Sequence, residues 1–200
     1  MKLLAVTRPD FYEGETALVG SLFSLGLERL HLRKPGATQE QLAAWLEEIP
    51  EQYRRRIVLH DWHDLVRELG LGGVHLNGRN PEPPRWLASA REDYSLSRSC
   101  HSIAELRGSH ESCDYLLLSP IFDSISKEGY GAAYTAEELK AAAAEGLLGV
   151  KTYALGGVSP ERIPALKELG FYGAAVLGGL WGSSGDGSVL EVFESYRRVL

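Results

Sequence analysis

RIVLHD, from Arg56 to Asp61, and GVHLN, from Gly73 to Asn77, are two short apolar runs separated by a stretch with helical apolar spacing. Each run has the length of a buried strand, and the two with their intervening helix read as one strand–helix–strand unit of a parallel sheet. The same alternation extends to both sides. LLAVT (Leu3 to Thr7) and RLHLR (Arg29 to Arg33) precede the pair. YSLSRSCH (Tyr94 to His101), DYLLLSP (Asp114 to Pro120), TYALGG (Thr152 to Gly157) and GAAVLGG (Gly173 to Gly179) follow it. Eight strands alternating with eight helices predict an α/β fold: a single (β/α)8 TIM barrel over residues 1–200. Such barrels commonly take roughly 250 residues. At 200 residues this one is of near-minimal length, with trimmed loops and short helices. An open doubly wound sheet is the alternative, because periodicity does not show closure.

Composition narrows the partners. The formal net charge is −6, with 24% charged and 44% hydrophobic residues, the balance of an ordinary globular domain. An acidic surface argues against nucleic acid and anionic membrane as general partners, while a small anionic ligand needs only local donors. No apolar stretch approaches the ~20 residues that span a bilayer. The opening MKLLAVT lacks an apolar signal region and a cleavage site, and reads as the first strand. The expected compartment is the cytoplasm. The two cysteines, Cys100 and Cys113, match no metal spacing and are expected as buried, reduced thiols. Cys100 and His101 are strand neighbours that point to opposite faces, which argues against a nucleophilic pair.

In barrels of this kind the chemistry lies at the C-terminal ends of the strands. Period-2 alternation puts His31 and Arg33 on one face, His75 and Asn77 on one face, and Ser97, Ser99 and His101 on one face. The intervening leucines turn outward to the helices. Four histidines (His31, His60, His75 and His101) fall on or near this one rim. The second signal is glycine. Gly156-Gly157 follows the seventh run, with Ser159 as helix cap and Pro160 in the first turn, and Gly178-Gly179 follows the eighth. Loops after strands seven and eight are the usual phosphate site of such barrels, where glycine lets backbone N–H groups approach the anion. The third signal is the long connection IFDSISKEGYGAAY, Ile121 to Tyr134, which reads as a binding loop or lid. Its Ser124, Ser126 and Lys127 suit an anionic group such as a diphosphate.

The ordered set HLRKPG (from His31), LHDWHDLVRELGLGGVHLN (Leu59 to Asn77), SCHSIAEL (from Ser99), DYLLLSPIFDSISK (Asp114 to Lys127), ALGGVSPERI (from Ala154) and GFYGAAVLGGLW (from Gly170) resembles the thiamine phosphate synthases and their relatives, the TenI thiazole tautomerases. The resemblance runs over nearly the whole chain. For the synthase it implies coupling of a hydroxymethylpyrimidine diphosphate to a thiazole phosphate, with Mg2+ as cofactor. Arg33 and Lys127 would bind diphosphate and Asp61 would be a metal ligand. Ser99, Ser124 and Ser126 would be supporting donors, and the backbone at Gly156, Gly157, Gly178 and Gly179 would hold the thiazole phosphate. A homodimer is implied, with Trp181 and Phe193 as exposed contacts.

Three departures fall on the diphosphate–metal half. The synthase pattern Arg-x-Lys is here Arg33-Lys34-Pro35, the Asn before the first metal aspartate is His60, and the second aspartate is replaced in Asn77-Gly78-Arg79-Asn80. The thiazole-phosphate half is intact. That asymmetry resembles the tautomerases, which need no metal and move a proton to aromatise the thiazole. The favoured reading is therefore a tautomerase with His101 as the acid–base group, and with His60, His75 and Asn77 as further contacts to substrate or phosphate. Two alternatives stand beside it. One is a true synthase that uses Lys34 or Arg79 as the missing cation. The other is a non-catalytic thiazole or thiamine phosphate binder.

Overall fold

The computed structural model describes residues 1–123, 133–182 and 186–200. Its strands are β1 (Lys2–Val6), β2 (Arg29–Leu32), β3 (Ile57–Leu59), β4 (Gly73–Leu76), β5 (Ser95–Cys100), β6 (Tyr115–Leu118), β7 (Thr152–Leu155) and β8 (Gly173–Val176). They follow one another in chain order around a closed barrel, as the alternation predicts. Among the described residues no helix is long and apolar enough to cross a membrane.

Contacts divide the chain into two compact units, Ala5–Ser97 and Met1–Leu4 with Arg98–Leu200. In the first, β2 pairs in parallel with β3 through Leu30↔Ile57, His31↔Val58 and Leu32↔Leu59. β3 pairs with β4 through Val58↔Gly73 and Leu59↔Val74. Alternation then gives His31, Val58 and His75 one face and Leu30, Leu32, Leu59 and Val74 the other. Those four leucine and valine side chains are almost fully buried, each contributing about 1.5–3 kcal/mol of burial. The helix Gln39–Glu47 starts where Thr38 and Gln41 form a reciprocal capping box, which satisfies backbone donors that a helix start leaves open.

In the second unit, β6 pairs with β7 through Leu116↔Thr152, Leu117↔Tyr153 and Leu118↔Ala154. β7 pairs with β8 through Tyr153↔Gly173, Ala154↔Ala174 and Leu155↔Ala175. The helix Ala136–Ala144 opens on a second capping box, Thr135 with Glu138. Cys100 and Cys113 are buried and form no disulfide.

Two expectations need correction. Trp181 and Phe193 are not exposed: they are 5% and 1% accessible. The C-terminal helix Asp186–Val199 is amphipathic, and the apolar side that carries Phe193 is buried rather than presented to a partner. The strands also end one or two residues before most of the quoted runs do. Thr7, Arg33, His60, Asp61 and Asn77 lie just past the strands; the Thr7 and His60 N–H groups still donate to the His31 and Leu32 carbonyls, while that of Arg33 goes to the Thr7 side chain.

Candidate active site

In the unit Ala5–Ser97, polar residues past the ends of β1 to β4 form one hydrogen-bonded set. Thr7 Oγ1 accepts from the Arg33 backbone N–H at 2.9 Å and donates to the Arg33 carbonyl at 3.2 Å. That clamp fixes the backbone of Arg33, whose guanidinium is half-buried. Its proton affinity is lowered, first by burial and then by the neighbouring Arg79 guanidinium, against the Asp61 carboxylate. The Arg33 guanidinium thus lies within electrostatic reach of both Arg79 and Asp61.

Asp61 is already engaged. Arg79 donates from Nε to Oδ1 at 3.1 Å and from Nη2 to Oδ2 at 2.8 Å. Asn80 Nδ2 donates to the same Oδ1 at 2.8 Å. The loop that carries Arg79 is itself pinned: Asn77 Oδ1 accepts from the backbone N–H groups of Arg79 (2.9 Å) and Asn80 (3.2 Å). Asn77 Nδ2 and Asn80 Nδ2 both donate to the His60 carbonyl. Asn77, expected as a substrate contact, thus uses its amide to shape the loop.

The magnesium implied by the resemblance prefers an octahedral shell of oxygens. Here Asp61 has both oxygens occupied by nitrogen donors, and the amide nitrogen of Asn80 faces it. The one convergent group of three or more His, Cys, Asp or Glu donors among the described residues is His31, His60 and His75, which offers no oxygen. The described residues do not make a magnesium site.

Lys34 is not the missing cation. Its Nζ is buried and bonds both Glu15 oxygens at 2.7 Å and the Asp10 carbonyl at 2.7 Å. It also sits 4.8 Å above the Phe11 ring. Glu15 accepts in addition from Trp45 Nε1 at 2.9 Å. Burial raises the Glu15 carboxyl against the pull of Lys34, and lowers the Lys34 ammonium against the pull of Glu15. The pair anchors the segment after β1.

His31, His60 and His75 come together. His31 Nδ1 lies 2.9 Å from His60 Nε2, and His75 Nδ1 lies 2.8 Å from Ser97 Oγ. His60 and His75 stack with centroids 4.1 Å apart. Burial, followed by neighbouring His75, holds His31 and His60 well below the ordinary histidine range. Both rings are neutral at pH 7. Next to Asp61, Trp62 has φ +54° and is 46% exposed, with its indole N–H on the Ala37 carbonyl at 2.8 Å. A left-handed φ is unusual for a bulky residue. No spacing in the sequence signals it.

The unit Met1–Leu4 with Arg98–Leu200 holds a second set. His101 is exposed, and its Nδ1 is tethered to Ser119, 3.2 Å from Oγ and 3.3 Å from the carbonyl. Its backbone N–H donates to Glu105 at 2.7 Å. Burial pushes the Cys100 thiol up to about 12, so it carries no thiolate, and Ser99 is half-buried on β5. Tyr134 OH donates to the Ser119 carbonyl at 3.3 Å. After β7, Gly156 and Gly157 have φ +96° and +62°, and a Cβ on Gly157 would collide with the Asp123 carbonyl. Arg162, which sequence reasoning missed, ties this turn together through Gly157 O at 2.6 Å and Asp123 O at 3.2 Å. The Gly178–Trp181 helix follows β8, and Gly179 packs against the Val158 carbonyl and the Tyr196 hydroxyl. Ser124, Ser126 and Lys127 lie outside the described residues.

Comparison with known proteins identifies the family. A family model described as thiamine monophosphate synthase matches residues 3–180. The solved thiamine phosphate pyrophosphorylase from Bacteroides thetaiotaomicron is 38% identical, with a TM-score of 0.86 over 100% of this chain and 97% of that one. A thiamine-phosphate synthase from Serratia proteamaculans is 29% identical over 164 residues, 80% of this chain and 76% of that protein. One from Parasynechococcus marenigrum is 30% identical over 162 residues, 76% of this chain but 44% of that protein's length.

Proposed function

Because the chain belongs to the thiamine monophosphate synthase family, we propose that it joins a hydroxymethylpyrimidine diphosphate to a thiazole phosphate. The bond between the pyrimidine methylene carbon and the diphosphate oxygen breaks. The thiazole ring nitrogen forms a C–N bond to the same carbon, and diphosphate leaves. The observation that carries this reading is the Arg79 fork on Asp61, with the Arg33 guanidinium within electrostatic reach of both. Negative charge grows on the departing diphosphate, and planar forks fixed in advance stabilise it most where water is excluded. Arg33 and Arg79 thus take the cation's part, with Asp61 orienting Arg79 until the diphosphate displaces it. Lys127, Ser124 and Ser126 are assigned to the same anion from sequence.

The thiazole phosphate is assigned to backbone donors at Gly156, Gly157, Gly178 and Gly179, with Ser99 as a supporting donor. Trp62 presents an exposed ring for stacking an aromatic substrate. His60 and His75 are assigned to a buried floor under the site rather than to the phosphate. The test is diphosphate binding and coupling in Arg33→Gln and Arg79→Gln. Each is expected to lower the coupling rate about 100-fold in a folded protein. Unchanged rates in both would remove the arginines from the reaction.

A tautomerase-type proton transfer is the second reading. Its supporting observation is that His101 is tethered through Nδ1 to Ser119, which holds the rest of the ring outward in an exposed position. The names of the relatives weigh toward coupling. Tautomerisation lost in His101→Gln, with no coupling by the native protein, would favour the second reading.

A further inference from the structure

We propose that His31, His60 and His75 form a binding site for a divalent transition metal of the zinc class, distinct from the family's magnesium. One ring nitrogen from each of the three lies within 4.8 Å of the others, and all three side chains are buried, at 0%, 4% and 0% accessibility. Zn2+ at about 2.1 Å from each imidazole needs nitrogen separations of about 3.4 Å. The 2.9 Å between His31 Nδ1 and His60 Nε2 and the 4.8 Å limit bracket that value. Metal binding on this proposal brings all three nitrogens to that value by ring rotation.

The protonation states favour ligation. Metal-binding histidine must be neutral, and burial keeps His31 and His60 so. Ser97 Oγ donates to the Val74 carbonyl at 3.2 Å, so toward His75 Nδ1 at 2.8 Å it accepts. With the Ser97 hydroxyl turned to the Val74 carbonyl, the His75 proton sits on Nδ1 and the lone pair on Nε2 is open to a metal. A ring N–H held by a neighbouring acceptor is the usual support of a ligating histidine. The register aligns the ligands: Val58 pairs with Gly73, so two residues on His60 lies beside His75, while His31 pairs with Val58 one row below. An all-imidazole set selects Zn2+, Co2+, Ni2+ or Cu2+ over Mg2+ or Ca2+. Arg33 and Arg79 both bear on His60 and oppose a further cation, with Asp61 offsetting Arg79.

The test is independent of the coupling reaction. The EDTA-stripped native protein is loaded with Co2+ alone and read by visible absorption, and with Zn2+ alone followed by dialysis and metal analysis. The expected result is a ligand-field band and one metal retained per chain. Ser97→Ala is expected to weaken Zn2+ binding about tenfold, and His75→Gln to abolish the band with circular dichroism unchanged. Absence of both band and retained zinc in folded native protein overturns the site. Zinc retained equally by His75→Gln also overturns it. If His75→Gln fails to fold, the native cobalt spectrum and the Ser97→Ala affinity decide.

Discussion

Arg79 lays its guanidinium across the carboxylate of Asp61, Nε to Oδ1 at 3.1 Å and Nη2 to Oδ2 at 2.8 Å. A bidentate fork of this kind holds the guanidinium in a fixed orientation, ready to meet the diphosphate once it displaces Asp61. Coupling is therefore expected to continue in EDTA at a rate within about tenfold of that in Mg2+, since the loss of one electrostatic donor costs more than that. The measurement is initial rate against free Mg2+. Turnover that vanishes in EDTA and returns with Mg2+ would show that the arginines do not replace the ion.

Lys34 and Glu15 are a buried pair with side chains 0% and 1% exposed. Lys34→Met strands the Glu15 carboxylate and is expected to lower stability by about 3–5 kcal/mol in urea unfolding. The double variant Lys34→Met with Glu15→Leu should recover much of that loss. Diphosphate affinity should remain within a few fold wherever the protein is folded. A selective loss of diphosphate binding in Lys34→Met, with stability unchanged, would return this lysine to the substrate.

The neutral histidines predict acid sensitivity. His31 and His60 have an ordinary value of 6.5, and burial lowers both well below it in the fold. Between those values the unfolded chain binds more protons. The stabilisation is thus present above about pH 6.5 and is lost as pH falls toward the folded values, by about 1.4 kcal/mol per pH unit for each ring. Urea midpoints measured from pH 7.5 down to 5 should fall steadily. A flat profile would mean that the rings charge freely inside the fold.

Gly157, with φ +62° and the Asp123 carbonyl against its missing Cβ, should not accept a side chain. Gly157→Ala is expected to cost about 1–3 kcal/mol and to raise the KM for thiazole phosphate by deforming the turn that Arg162 holds. A variant with native stability and native KM would detach this turn from the phosphate.

The barrel was legible because burial imposes it on local sequence. Every strand must be a short apolar run, and every helix must present a periodic face. Parity put His31 and His75 on one face, but both are fully buried instead of lining an open rim. What parity does not carry is pairing across the chain. Asp61 meets Arg79 over eighteen residues, and Glu15 meets Lys34 over nineteen, through loops whose course no period records. The one-residue shift of Lys34 was visible, but the carboxylate that captures it was not. Gathering His31, His60 and His75 needed the strand register, which the sequence does not state. Trp181 and Phe193 were misplaced because aromatic residues near the C-terminus read as exposed when the surface they cover is unknown.

The most direct measurement mixes the purified protein with hydroxymethylpyrimidine diphosphate and thiazole phosphate and follows thiamine phosphate and free diphosphate together. Both should appear in equal amounts and depend on the protein. Folded protein that binds phosphate yet yields neither would overturn the assignment of coupling.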